Sequence, residues 1–225
     1  MTDILQGLRI LAVGAALVLP AAAQAQTSTR AAEPEGEKAP AVTVTDGSFK
    51  CLLDMKKVRH FYVDNLSGRL DETVKVAEAG EGEYPEGSVV QLVPNEVMIK
   101  QQKGFSPITR DWEFFWIDVD GDGSKIFRRG FVEVNNRFEM NCFACHVKAD
   151  AKNDFTCGAD GGGCDPIPLT REMFGALQRT DPRCKNAPPV SAADQAALKM
   201  VGEVVAAMKE ANASNRTMSE DAPKK

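Results

Sequence analysis

The sequence predicts an α+β fold: an antiparallel β-sheet core with flanking helices and a C-terminal amphipathic helix. Three observations carry that prediction. Residues 111–134 read as a hairpin, because two runs rich in aromatic and β-branched residues flank the turn Asp120-Gly121-Asp122-Gly123. Residues 191–212 place Leu198, Val201, Val205 and Met208 along one side of a helix. A hydrophobic content of 43% in 225 residues is enough for one sizeable core.

In chain order, residues 1–25 read as a signal peptide. An apolar stretch over 10–23 follows Arg9, is too short for a comfortable membrane span, and ends in the small-x-small pattern Ala23-Gln24-Ala25. Cleavage leaves about 200 residues, with no other stretch apolar enough to cross a bilayer. Residues 26–46 are rich in Ala, Glu, Pro and Thr without apolar periodicity and read as a disordered leader. A folded domain spans 47–190. Within it, Leu52, Leu53, Met55, Val58, Phe61 and Tyr62 recur at helical spacing and predict a short helix over 50–63. Tyr84-Pro85-Glu86-Gly87 is a turn signal opening a strand over 88–93, which Pro94 ends.

The strand over 111–119 puts Trp112, Phe114 and Trp116 on one face, and a second strand returns over 125–134. A further helix starts at Asn141. Ser191 with Asp194 has the spacing of a helix cap before the C-terminal helix, and residues 213–225 form a polar, disordered tail. The formal charge of −5 belongs to the mature chain, since Asp3 and Arg9 cancel within the signal segment. An acidic balance points away from nucleic acid and anionic membrane surfaces as partners.

Cys142-Phe143-Ala144-Cys145-His146 carries the chemistry. A Cys-x-x-Cys-His run is the attachment signature of a c-type haem: the i, i+3 thiols share one face of a helical turn, where each can form a thioether, and the histidine follows as proximal iron ligand. One covalently bound haem c is therefore expected on Cys142, Cys145 and His146, with His146 the metal ligand. A thioredoxin-type pair or half a zinc ribbon would bring a βαβ unit or a second Cys-x-x-Cys, and neither accompanies it. The haem motif and the signal segment agree on a periplasmic location. The other four cysteines, Cys51, Cys157, Cys164 and Cys184, are an even number in an exported chain and predict two disulfides. Of the three connectivities, Cys157 with Cys164 across Gly161-Gly162-Gly163 is preferred, leaving Cys51 with Cys184.

Asp118 to Gly123 imitates the start of a calcium loop, but its twelfth position is Arg129 where a bidentate Glu is needed, so a hairpin turn is the reading. Haem function depends on the sixth iron position. The candidates to fill it are His60, the one other histidine, and Met55, Met98 and Met140. Each has an ordinary reading: His60 as a surface residue, the methionines as packing. The expectation is instead an open distal site walled by rings such as Phe114, Phe115 or Trp116, taking nitric oxide or a similar small gaseous or nitrogenous ligand. Two alternatives stand beside it. One is a six-coordinate electron carrier with a redox partner protein. The other is an enzyme that oxidises hydroxylamine or reduces a peroxide, for which Glu113, Arg128 and Arg129 are the suggestive polar residues, read as exposed on the hairpin.

From Tyr84 to Phe155 the chain resembles the cytochrome P-460 family, which includes cytochrome c′-beta. The resemblance rests on Tyr84-Pro85-x-Gly87-Ser88-Val89, Trp112-Glu113-Phe114-Phe115, the haem motif, and Asp154-Phe155. It implies an antiparallel sheet with flanking helices, a homodimer, and a five-coordinate haem with His146 proximal. Members of the P-460 branch carry a Lys cross-linked to the haem; the matching position here is near Leu92. The strand over 88–93 holds no Lys, Lys100 being the nearest, so the chain looks closer to the gas-binding branch.

Overall fold

A computed structural model describes residues 42–157 and 162–220. The expected signal peptide and most of the leader lie outside these residues. The folded chain starts earlier than its composition implies: Val44 is buried in the core, and the Asp46 carboxylate accepts the Ile126 amide at 2.7 Å.

Among the described residues, six strands form one antiparallel sheet in which spatial order equals sequence order: β1 (Lys56–Val58), β2 (Phe61–Asn65), β3 (Ser88–Val93), β4 (Glu96–Lys100), β5 (Trp112–Asp120) and β6 (Gly123–Gly130). The helices are α1 (Leu70–Ala79), α2 (Cys142–His146), α3 (Arg171–Arg179) and α4 (Ala192–Glu220). No helix among the described residues is long and apolar enough to cross a membrane.

The helix expected over 50–63 is absent. A single 3₁₀ turn, Leu52–Asp54, is followed by the β1–β2 hairpin, whose tight turn holds Arg59 at φ 55°. The aromatic and β-branched residues Val58, Phe61, Tyr62 and Val63 fit a pleated surface with both faces covered, and that packing overrides the helical spacing. The strand β4, helices α1 and α3 were not anticipated. Strand β6 ends at Gly130 rather than running to 134, and α4 continues to Glu220 through what composition marks as tail.

Alternation sorts the sheet into two apolar faces. Val89, Val97, Ile99, Phe115 and Ile117 point to one face, closed by Val44, Phe49, Leu52 and Met55 from the chain before β1. Val58, Val63, Met98, Trp112 and Phe114 point to the other, against α1, Tyr84, Phe143 and Phe155. Met173, Ala176, Ala197 and Val201 pack α3 on α4 against the end of β3. Leu92 is bulged out of the β3–β4 register, and the Gln178 amide of α3 caps its carbonyl at 2.9 Å. The edge strands carry exposed charge, Lys56 and Lys57 on β1 and Arg128 on β6, which blunts strand addition.

Both preferred disulfides are present: Cys51–Cys184 and Cys157–Cys164. The hairpin turn also stands where expected, with the Asp120 carboxylate accepting the amides of Asp122 and Gly123. At the head of α4, Asp194 and Ser191 bond reciprocally as the cap spacing predicts.

Candidate haem-attachment site

Helix α2 is one short turn, and local chemistry fixes its start. Asn141 caps it: the side-chain oxygen accepts the Ala144 amide at 2.9 Å, while its NH₂ donates to the Val132 carbonyl at 2.9 Å. The Cys142 amide donates to Val134 O at 3.0 Å, so the turn hangs from the chain just after β6. Cys142 and Cys145 are the two cysteines outside disulfides. Burial pushes the Cys142 thiol up to about 12, with the nearby Glu96 carboxylate adding to the effect, and burial also raises Cys145. Such thiols are unlike the depressed, reactive thiol of a redox Cys-x-x-Cys pair.

His146 is held at one nitrogen. Its Nδ1 lies 2.7 Å from the Phe155 carbonyl, which can only accept, so Nδ1 carries the proton and Nε2 the lone pair. Burial lowers its pKa and keeps the ring neutral, with the Phe155 carbonyl opposing. The imidazole packs against the Phe114 ring at 5.3 Å. A neutral imidazole whose other nitrogen donates to a backbone carbonyl is the arrangement metal-ligating histidines adopt. The donor set therefore fits a covalently attached haem: two uncommitted thiols three residues apart and an Nε2 lone pair. Arg137 fits as well. Its buried Nε has no hydrogen-bond partner and is ion-paired at 3.8 Å with Glu96, the residue acting on Cys142, so it could donate to an anionic group of the haem.

The partner of His146 sits in an unusual piece of backbone. Asp154 and Phe155 are consecutive non-glycine residues with positive φ, 47° and 65°. The Trp112 indole donates to Asp154 O at 2.7 Å, and the Asp154 carboxylate accepts the Tyr84 amide at 2.9 Å and Lys100 Nζ at 2.8 Å. Lys100 and Asp154 form a pair about 5% exposed, and Lys100 also donates to Arg110 O. Burial raises the Asp154 carboxyl, against the pull of Lys100 and the Tyr84 amide.

The structure separates the sixth-ligand candidates. His60 lies in the β1–β2 turn, not on a helix, with its ring on Phe61. Strand β2 is three strand spacings, roughly 14 Å, from the β5 strand that bears Phe114. Burial, then Arg171 and Arg59, lower its pKa. Met55 belongs to the opposite sheet face, and Met140 lies at the entry to α2. Met98 shares the Phe114 face as its cross-strand neighbour.

Two expectations about the ring wall need correction. Phe115 points to the face away from α2, and Phe114 touches the imidazole itself, so it packs the ligand. Among the polar candidates, Glu113 is buried, not exposed. It pairs with Arg129 at 2.7 Å and accepts from Gln101 on the Phe115 face, away from His146.

Two open clefts of about 590 and 790 Å³ flank the Lys100–Asp154 pair, and Cys142, Cys145 and His146 line neither. The polar partners of this site, Lys100, Asp154 and the Trp112 indole, were missed as partners by sequence reasoning. The one available signal was Asp154-Phe155 standing a short distance beyond the motif. No family model, curated protein or solved structure matches the chain.

Proposed function

We propose that the chain is an exported mono-haem c-type cytochrome of the P-460 type, holding His-ligated iron open on its second face to nitric oxide or a similar small ligand. The observation that supports this is the His146 Nδ1–H···O=C Phe155 bond, which leaves the Nε2 lone pair free to hold a metal, on a turn whose two thiols are kept out of the disulfide framework. Haem, when bound there, supplies an iron centre that can take a diatomic ligand.

The chain's own residues do the rest. Cys142 and Cys145 tether the group on one side of α2. His146 donates its lone pair from a ring whose rotation is stopped by Phe155 O and Phe114. The other histidine is spent in a distant turn, which favours an open face over bis-His ligation. Lys100, the lysine nearest the cross-linking position of the P-460 branch, is committed to Asp154 and Arg110 O, which favours a gas-binding role over cross-linked hydroxylamine chemistry. Two disulfides favour an oxidising compartment such as the periplasm.

An optical spectrum tests the reading. A purified ferrous protein should be high-spin and bind carbon monoxide. A low-spin ferrous spectrum indifferent to carbon monoxide would make it an electron carrier, and hydroxylamine turnover with a red-shifted Soret band would make it the enzyme.

A further inference from the structure

The segment presenting the Phe155 carbonyl to His146 is strained, and the strain is held from outside the haem motif. A non-glycine residue in the left-handed region is disfavoured, and two in succession persist only where the surroundings over-determine them. Every fixing contact on Asp154 comes from the sheet or its approach. Lys100 ends β4 and Trp112 opens β5, and these two are direct cross-strand partners. One donates to the Asp154 side chain and the other to its backbone, while the Tyr84 amide supplies a third bond. The Lys100 ammonium also lies 5.3 Å from the Trp112 ring centroid, so the two donors brace each other.

From this we infer that Lys100, Trp112 and Asp154 are positioning residues for the proximal ligand: they lock the Asp154-Phe155 backbone so that Phe155 O fixes His146 in its Nδ1–H form and sets how strongly Nε2 donates to iron. A buried ion pair is a poor device for stability alone, since desolvation offsets much of its attraction. Its placement one residue from the carbonyl that orients the ligand gives it a use. Weakening that carbonyl contact makes the imidazole a poorer donor and favours ferrous over ferric iron.

This inference rests on the haem reading, so the test has one arm without haem. The full exported chain carrying Cys142→Ala and Cys145→Ala cannot form thioethers but keeps both disulfides. Nitrogen-15 NMR of His146 in that background should show the Nδ1–H tautomer alone. Adding Asp154→Asn, or separately Trp112→Phe, should yield a mixture of tautomers. In the haem-loaded chain the same two substitutions should lower the ferrous iron–histidine stretching frequency and raise the midpoint potential. Glu113→Gln, which weakens the pairing of buried Glu113 with half-exposed Arg129 on the opposite sheet face, should lower stability and leave tautomer, stretch and potential unchanged. Trp112→Phe keeps a ring in place and preserves the test if the charge-changing variant does not fold. A wild-type tautomer and stretch in both variants, or equal shifts from Glu113→Gln, would overturn the inference. A wild-type chain with no covalent haem would remove the proposed function while leaving the tautomer arm readable.

Discussion

Cys51 and Cys184 stand with Cα atoms 4.9 Å apart although 133 residues separate them. The bridge is reinforced by Asp181, whose carboxylate accepts the Leu52 amide at 2.9 Å and pairs with the Arg183 guanidinium, itself bonded to Pro94 O. Disulfide, ion pair and backbone bonds together tie the chain before β1 to the chain after α3.

The two disulfides should differ in what they contribute. Loop-entropy arithmetic gives about 5 kcal/mol for the long closure and about 2.5 for the seven-residue one. Denaturant melts of Cys51→Ala/Cys184→Ala and Cys157→Ala/Cys164→Ala should therefore show a loss about twice as large for the first pair. The reverse order would mean that Asp181 and Arg183 already close the domain. In the haem-loaded chain of the proposed function, thiol counting after denaturation should find no free thiols before reduction and four after it; a chain without haem should show two before and six after.

Attachment and ligation should separate by substitution. Cys142→Ala or Cys145→Ala removes one thioether each and impairs holoprotein formation, read by mass spectrometry of the denatured protein. His146→Ala should retain haem mass in whatever protein matures, while altering the axial bond and the spectrum. Covalent haem retained in the double variant Cys142→Ala/Cys145→Ala, which has no thiol left at the motif, would refute attachment there.

His60→Ala should leave the optical spectrum and carbon monoxide affinity unchanged, because the residue sits in a hairpin turn roughly three strand spacings from the Phe114–His146 contact. Conversion of a six-coordinate spectrum to a five-coordinate one would establish bis-His iron instead.

The joint between α3 and α4 should weaken in acid. Hydrogen bonds from Arg179 and Ser191 hold the Asp194 carboxyl down at about 2. An unfolded Asp titrates near ~4, so the folded state binds fewer protons through that window. The contribution is complete above about pH 4 and fades as pH falls toward 2. Thermal melts across this range should show wild type losing its advantage over Asp194→Asn as pH drops; a constant difference would exclude the linkage.

Much of this was legible because it depends on local chemistry. The turn Asp120 to Gly123, the aromatic alternation of β5 and the Ser191–Asp194 cap are each decided within a few residues. The region 50–63 was misread because its apolar residues satisfy helical and strand spacing alike, and burial on both sheet faces chose between them. Strand β4 was missed because Val97-Met98-Ile99 is too short a run to read alone, although pairing on both sides makes it central. Cys142, Cys145 and His146 stand together in the sequence, but nothing local assigns Asp154 to Lys100, 54 positions away. That assignment exists only once β4 and β5 lie side by side.

The sheet's plain order, each strand beside its neighbour in sequence, also bears on assembly. No strand waits for a distant segment before it can pair, so the scaffold carrying Trp112, Phe114 and Lys100 is built from short-range closures. The slow event left over is the meeting of Cys51 and Cys184. A chain whose sheet has formed and whose ends are still apart would expose the Cys142–His146 turn at the tail of a finished scaffold, in the stretch of chain that has yet to be closed over. On the proposed function, haem attachment and oxidative closure would then compete for the same interval.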